Sequence, residues 1–181
     1  VVFARQFTMG LPVTIQEMDY RSLEEKYDKI LICGMIEHVG YKNYHEIFKI
    51  VKKILSDEGL FLLHTIGNNK DTIVIDPWIE KYIFPNAVVP SLNQLVKASS
   101  GVLVLEDLHN FGKYYDYTLM AWFNNFESNW PKFKEQYGEK FYRMWKYYLL
   151  SCAGLFRARQ AQLWQMVFSK NGVPGGYNSV R

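Results

Sequence analysis

A strand–helix–strand pattern between residues 27 and 67 constrains this chain more than any other feature. "YDKILICGM" (27–35) is a continuous apolar run, as expected of a strand covered on both faces. "KNYHEIFKIVKKIL" (42–55) sets Tyr44, Ile47, Phe48, Val51 and Leu55 at helical spacing with lysines between them. "SDEGLFLLHTIG" (56–67) supplies a turn, a second apolar strand and a terminal glycine. A helix between two such strands is a βαβ unit, which demands parallel strands and a right-handed crossover. The 181 residues suit one domain, 1–181, with a sizeable core.

Around this unit, "PVTIQEM" (12–18) is β-branched and reads as a first strand. Three prolines in "DPWIEKYIFPNAVVP" leave room for a short helix around Trp78 to Tyr82, and "SLNQLVKAS" opens another with Ser91 as its cap. "GVLVLEDLHNFG" (101–112) reads as a strand running into a loop. A helical region, roughly 113–157, is interrupted near Pro131 and Gly138. "QLWQMVFSK" (162–170) supplies a closing strand, and the Gly-rich tail 171–181 is expected to be loose. The architecture is half of a doubly wound α/β sheet, with a four-stranded core near residues 30, 62, 105 and 166.

Ligands of such sheets bind beyond the carboxyl ends of the strands, where Glu37, His64 and the loop after His109 fall. Neighbouring strand ends lie about 5 Å apart, so Glu37 and His64 can share one cavity. There they could act as acid–base equipment or clamp a small polar species. The alternative is that Glu37 caps a helix and His64 is a satisfied core histidine. Tyr114, Tyr115 and Tyr117 begin the long helix, and one hydroxyl could reach the same cavity. Glu106 and Asp107 could face it or cap their loop. His38, His45 and His109 fit no metal pattern. "EMDYRSL" (17–23) could hold an adenine edge and face, although no G-x-G-x-x-G phosphate loop occurs.

Aromatics make up 17% of the chain, which suits either a packed core or a site for a long apolar or cationic ligand. The net charge of +3 argues against a dedicated nucleic-acid binder. Between residues 139 and 170, Glu139 stands alone against Lys140, Arg143, Lys146, Arg157, Arg159 and Lys170. Such a stretch could rest on an anionic membrane surface or form a solvated face. Two distant cysteines, Cys33 and Cys152, suggest a reducing compartment. With no signal peptide and no apolar stretch of spanning length, a cytoplasmic protein is expected, peripherally associated with the inner membrane face if it acts on lipid.

Read together, "GMIEHVG", "LFLLHTIG", "DPWIEKYIFPN", "EDLHNFGKYYDYTLMAW" and "SCAGLFRARQAQLWQMVFS" closely resemble the cyclopropane-fatty-acyl-phospholipid synthase family, in order and spacing, from about Val13 to Ser169. The resemblance implies a class I, Rossmann-like methyltransferase sheet that uses S-adenosylmethionine, with an added helical lipid-site region. It implies methylation of the double bond of an unsaturated acyl chain in a phospholipid, followed by closure of a cyclopropane ring. By motif match, Glu37, His64, the backbone at Ile66 and the hydroxyl of Tyr115 would hold a bicarbonate that removes the proton. Cys152 matches a cysteine that the family marks as active-site, whereas its apolar helix favours a packing role.

Asp19, Tyr20, Arg21 and Cys33 would remain as cofactor contacts, because the family's glycine-rich loop and ribose-gripping acid belong upstream of Val1. The chain thus reads as the C-terminal part of a synthase, lacking the N-terminal βαβ half of the sheet and inactive alone. Its first strand is then displaced or recruited elsewhere, and an exposed edge at Ile30–Cys33 invites a homodimer. Competing readings are a related methyltransferase acting on a small amine or hydroxylated lipid, and a lipid-surface module without catalysis.

Overall fold

The computed structural model describes residues 1–179 and 181. Four strands, β1 (Tyr27–Cys33), β2 (Leu55–Asn68), β3 (Val104–Asn110) and β4 (Ala161–Ser169), form one sheet in the order β1-β2-β4-β3. β1 and β2 are parallel, and β4 is antiparallel to both of its neighbours. β3 therefore points the same way as β1 and β2, and the carboxyl ends of all three share one margin.

One face of the sheet is covered by α2 (Tyr44–Ile54) and α4 (Leu92–Ser99). Tyr44, Ile47, Phe48 and Val51 of α2 lie in the core as their helical spacing predicts, joined by Ile54, while Leu55, expected on the same helix, is buried as the first residue of β2. Ser91 and Gln94 start α4 with a reciprocal capping box. Phe48, Phe61 and Phe168 interlock beneath them, with ring centroids 5.2 to 6.1 Å apart.

The other face carries α5 (Gly112–Asn129) and α6 (Lys134–Arg157). Their junction falls at the Trp130–Lys132 turn, and Gly138 breaks the start of α6 with φ of 71°. Leu119, Leu149, Ala153, Phe156 and Leu163 close this layer, amid half-buried rings including Tyr115, Phe123, Trp145 and Tyr148. The Arg157 guanidinium grips the Asp116 carboxylate through two N–H donors, each at 2.9 Å, and ties the ends of the two helices together.

Two expectations are corrected. Residues 12–18 form no strand: the segment is irregular, with Val13 and Met18 half exposed and its backbone held chiefly by the Arg5 Nε bond to the Ile15 carbonyl. β-Branched residues need a partner strand to stay extended, and this segment pairs with none. β1 is not covered on both faces either: Ile30 and Ile32 pack inward while Leu31 is 63% exposed. Short helices α1 (Val2–Phe7) and α3 (Pro77–Tyr82) complete the described residues, among which no helix is long and apolar enough to cross a membrane.

Candidate active site

Gly34 ends β1 with φ of 61°, a backbone state that glycine adopts without strain, and its N–H bonds the His64 carbonyl at 3.0 Å. The chain then turns through a 3-10 helix, Ile36–His38, which rolls Glu37 inward until it is only 7% exposed. Glu37 caps no helix. Its Oε1 accepts the Ile66 N–H at 2.8 Å, and its main-chain carbonyl accepts the Val88 N–H at 2.8 Å. Its Oε2 is buried with no hydrogen-bond partner. A buried carboxylate oxygen without a donor is costly, which singles this atom out as a candidate ligand contact.

His64 stands across from Cys33 in the parallel pair and across from Gln165 in the antiparallel one. The Gln165 amide meets His64 Nδ1 at 3.1 Å; with the amide N–H donating, the ring proton lies on Nε2. Burial lowers the His64 pKa and outweighs the opposing pull of Glu37, so a neutral imidazole is favoured. Tyr115, the first-turn tyrosine of α5 that turns inward, packs edge-on against Phe156 at 4.9 Å and Trp122 at 5.9 Å. Burial, then the neighbouring Cys33, Cys152 and Glu37, push its phenol pKa up. Glu37, His64, Ile66, Tyr115, Cys33 and Cys152 are thus brought to one end of the sheet.

Tyr44, expected only as a core residue of α2, also belongs to this neighbourhood: burial and Glu37 raise its pKa to about 12. Its hydroxyl donates to the Val88 carbonyl at 3.3 Å, behind the Glu37 loop. Gln165 and the Asp116–Arg157 clamp beside Tyr115 escaped sequence reasoning as well. Cross-strand register supplies the first and helix packing the second, and neither leaves a local motif.

Burial pushes the Cys152 thiol up to about 11, so the thiolate is scarce near neutrality. Tyr148, raised to about 12, stands against the same thiol. Asp19 sits apart, its carboxylate held by the Arg21 guanidinium, while Tyr20 leans on the core edge. Tyr114 and Tyr117 are exposed. Glu106 accepts from Ser169 Oγ and the Val173 N–H, and Asp107 pairs with Arg181, so neither faces the Glu37 site. His38 meets Phe84, His45 bonds the Ala98 carbonyl, and His109 packs at a tilt against Phe111. Chemically the neighbourhood offers one unpartnered acceptor, Glu37 Oε2, and two groups able to donate that feel the Glu37 charge, His64 Nε2–H and the Tyr115 hydroxyl.

The family model described as mycolic acid cyclopropane synthetase matches residues 5–166. The chain belongs to that family. Its sequence is 51% identical over 178 residues to the cyclopropane-fatty-acyl-phospholipid synthase of Escherichia coli strain K12, covering 98% of this chain and 46% of that protein. It is 32% identical over 152 residues to the sphingolipid C9-methyltransferase of Komagataella phaffii, covering 81% of this chain and 31% of the relative. The chain therefore spans about half the length, or less, of these curated relatives. Among solved structures, the cyclopropane synthase MmaA2 from Mycobacterium tuberculosis superposes with a TM-score of 0.79 at 23% identity, over 91% of this chain and 65% of that one. The cyclopropane synthase family fold is accordingly a class I methyltransferase α/β sheet, of which this chain forms four strands.

Proposed function

We propose that this chain carries the acid–base and lipid-facing half of an enzyme that converts the double bond of an unsaturated phospholipid acyl chain into a cyclopropane. The carrying observation is the unpartnered, buried Glu37 Oε2, in a carboxyl group whose charge is felt by both His64 and Tyr115. In this reading S-adenosylmethionine supplies the methyl group and bicarbonate accepts the proton that leaves as the ring closes.

A bicarbonate fits the donor set: Glu37 Oε2 would accept its hydroxyl proton, while His64 Nε2–H and the Tyr115 hydroxyl would donate to its oxygens. Ile66 holds Glu37 in place through its N–H, and Gln165 holds the His64 tautomer. A raised Tyr115 pKa keeps that phenol a donor at neutral pH. The half-buried rings of Phe123, Trp145, Tyr148 and Phe111 exclude water and offer π faces to positive charge on the alkene carbons. Cys152 serves as an apolar wall, since methyl transfer to carbon requires no thiolate and its pKa of about 11 disfavours one.

The fit to S-adenosylmethionine is partial: Asp19, Tyr20 and Arg21 would take the adenine side and Cys33 the margin of β1. The remaining contacts would come from residues outside this chain. The CmaA1 structure, solved with S-adenosylhomocysteine and CTAB, supports this assignment of cofactor and long-chain substrate by fold likeness. An anionic inner-membrane surface completes the reading, and the open β1 edge is where the other half of the sheet, or in its absence a second copy of this chain, would pair.

The test uses the whole enzyme with vesicles of unsaturated phospholipid, S-adenosylmethionine and graded bicarbonate, reading cyclopropane product by gas chromatography. Glu37→Gln and Tyr115→Phe should each lower turnover about 100-fold or more while cofactor affinity stays within a few-fold. Near-normal turnover in both would remove the proposed site. A methylated but uncyclised product would instead favour a methyltransferase like the sphingolipid relatives. Calorimetry with S-adenosylhomocysteine on residues 1–181 alone measures how much of the cofactor site this chain holds.

A further inference from the structure

Between α3 and α6, away from the Glu37 site, lies a groove of about 320 Å³ lined by Trp78, Tyr82, Lys140, Arg143, Met144 and Tyr147. We propose that it binds the phosphodiester of a phospholipid headgroup, with Lys140 and Arg143 on the phosphate oxygens and the three rings against the glycerol region. The proposal rests on the reading above that the substrate is a phospholipid, and it adds where the polar end of that lipid sits.

The geometry is specific. Trp78 meets Tyr82 at 5.3 Å and the edge of Tyr147 at 4.5 Å, so α3 and α6 share one aromatic wall. Lys140 and Arg143 stand at i and i+3 on one side of α6, and neither makes an ion pair among the described residues. Their charge is free for an outside anion. A guanidinium fork matches phosphate geometry and an ammonium adds a point charge. Lys81 adds a third cation, its Nζ 5.2 Å above the Tyr82 ring. Trp and Tyr rings with one apolar and one polar end are the side chains suited to a headgroup boundary. The loop leading into α3 also exposes Ile73 and Val74, which suits contact with lipid.

The wall also leads inward. Tyr147 is followed by Tyr148, whose ring meets Phe84 at 6.0 Å, and Phe84 in turn meets His38, the neighbour of Glu37, at 5.9 Å. Along α6, Arg143 precedes Cys152 by nine residues, about 13 Å of helix. A phosphate at Arg143 therefore leaves an acyl chain to run along α6 past Tyr148 toward Tyr115. This arrangement selects intact phospholipids over free fatty acids, whose carboxylate, bound at the same cations, would draw the double bond out of position.

The probe is dihexanoyl phosphatidylglycerol below its micelle concentration, followed through the Trp78 indole N–H resonance, with inorganic phosphate and hexanoate as comparisons. No S-adenosylmethionine or bicarbonate is added, so the result is independent of whether the Glu37 site works as proposed. Binding should move the Trp78 signal, and the double variant Lys140→Gln/Arg143→Gln should bind at least about tenfold more weakly. Lys49→Gln/Lys53→Gln, on exposed α2 positions across the sheet, should bind within twofold of the unaltered protein. Lys140→Arg should retain binding, which separates lost charge from a disturbed helix. An unmoved Trp78 signal, an unchanged affinity in the double variant, or equal binding of inorganic phosphate or hexanoate would overturn the headgroup site.

Discussion

The two faces of the sheet are built from similar residues and packed differently. On the α2–α4 face, Phe48, Phe61, Phe168, Leu63 and Leu95 are fully buried and locked in one cluster. On the α5–α6 face the sealed residues are fewer, and Phe111, Tyr115, Phe123, Trp145 and Tyr148 remain half buried. Large burial-driven shifts occur at Cys152 and Tyr148 on the second face, where Tyr115 joins them, and at Tyr44 on the first, behind the Glu37 loop. One face thus stabilises the fold, whereas the other keeps aromatic surface partly uncovered, which suits the acyl-chain site proposed above.

That contrast can be broken in several ways. The largest effect is expected at Phe168→Ala, which leaves a cavity between Phe48 and Phe61 and should cost about 3–5 kcal/mol in denaturant unfolding. Phe123→Ala on the opposite face should cost roughly 1–2 kcal/mol, because its ring is partly exposed already. Equal losses would remove the distinction. Cysteine alkylation sharpens it chemically: the rise of the Cys152 pKa from 9.0 to about 11 lowers its thiolate fraction about 100-fold. Exposed Cys33 should therefore label with iodoacetamide much faster at pH 8, and Cys152→Ser should leave turnover within a few-fold. Comparable labelling rates would place Cys152 in an active, solvated setting.

Asp116→Asn comes next. The Arg157 side chain is 64% exposed, so solvent screening weakens the pair, and the loss is read as a small shift in unfolding midpoint. The smallest effect is in pH. The folded pKa of His64 lies below its ordinary value of 6.5, so its contribution to stability is intact above pH 6.5 and is lost as pH falls from there through the folded pKa. His64→Asn should flatten that part of the stability profile. A slope unchanged in the variant would assign it to another group.

Much of the fold was legible from local pattern. The apolar runs read at 27–35 and 56–67 became the neighbouring parallel strands Tyr27–Cys33 and Leu55–Asn68, and the helix between them buried the side its spacing indicated. Pro131 and Gly138 did interrupt the long helical region. Residues 12–18 carried the same β-branched signal and formed no strand, because pairing is a property of two segments and composition describes only one. The site was legible to the extent that strand ends can be counted: Glu37 and His64 do converge. Gln165 beside His64 and Arg157 on Asp116 were not, being 101 and 41 residues distant in the chain. Nor does spacing reveal that Glu37 leaves one oxygen unpartnered; that follows from the turn at Gly34 and the Ile66 N–H.

The glycine that closes "LFLLHTIG" has a use beyond ending a strand. A Cβ at Gly67 would lie 2.3 Å from the Trp164 ring, so the indole occupies the space where any other residue would begin. Positions 67 and 164 share one fixed volume, so position 67 cannot change until position 164 has given way. An alanine at 67 becomes admissible only after the tryptophan has shrunk, and that intermediate leaves a hole next to Ile66, whose N–H holds Glu37. The order in which mutations could ever arrive here is set by a single van der Waals radius.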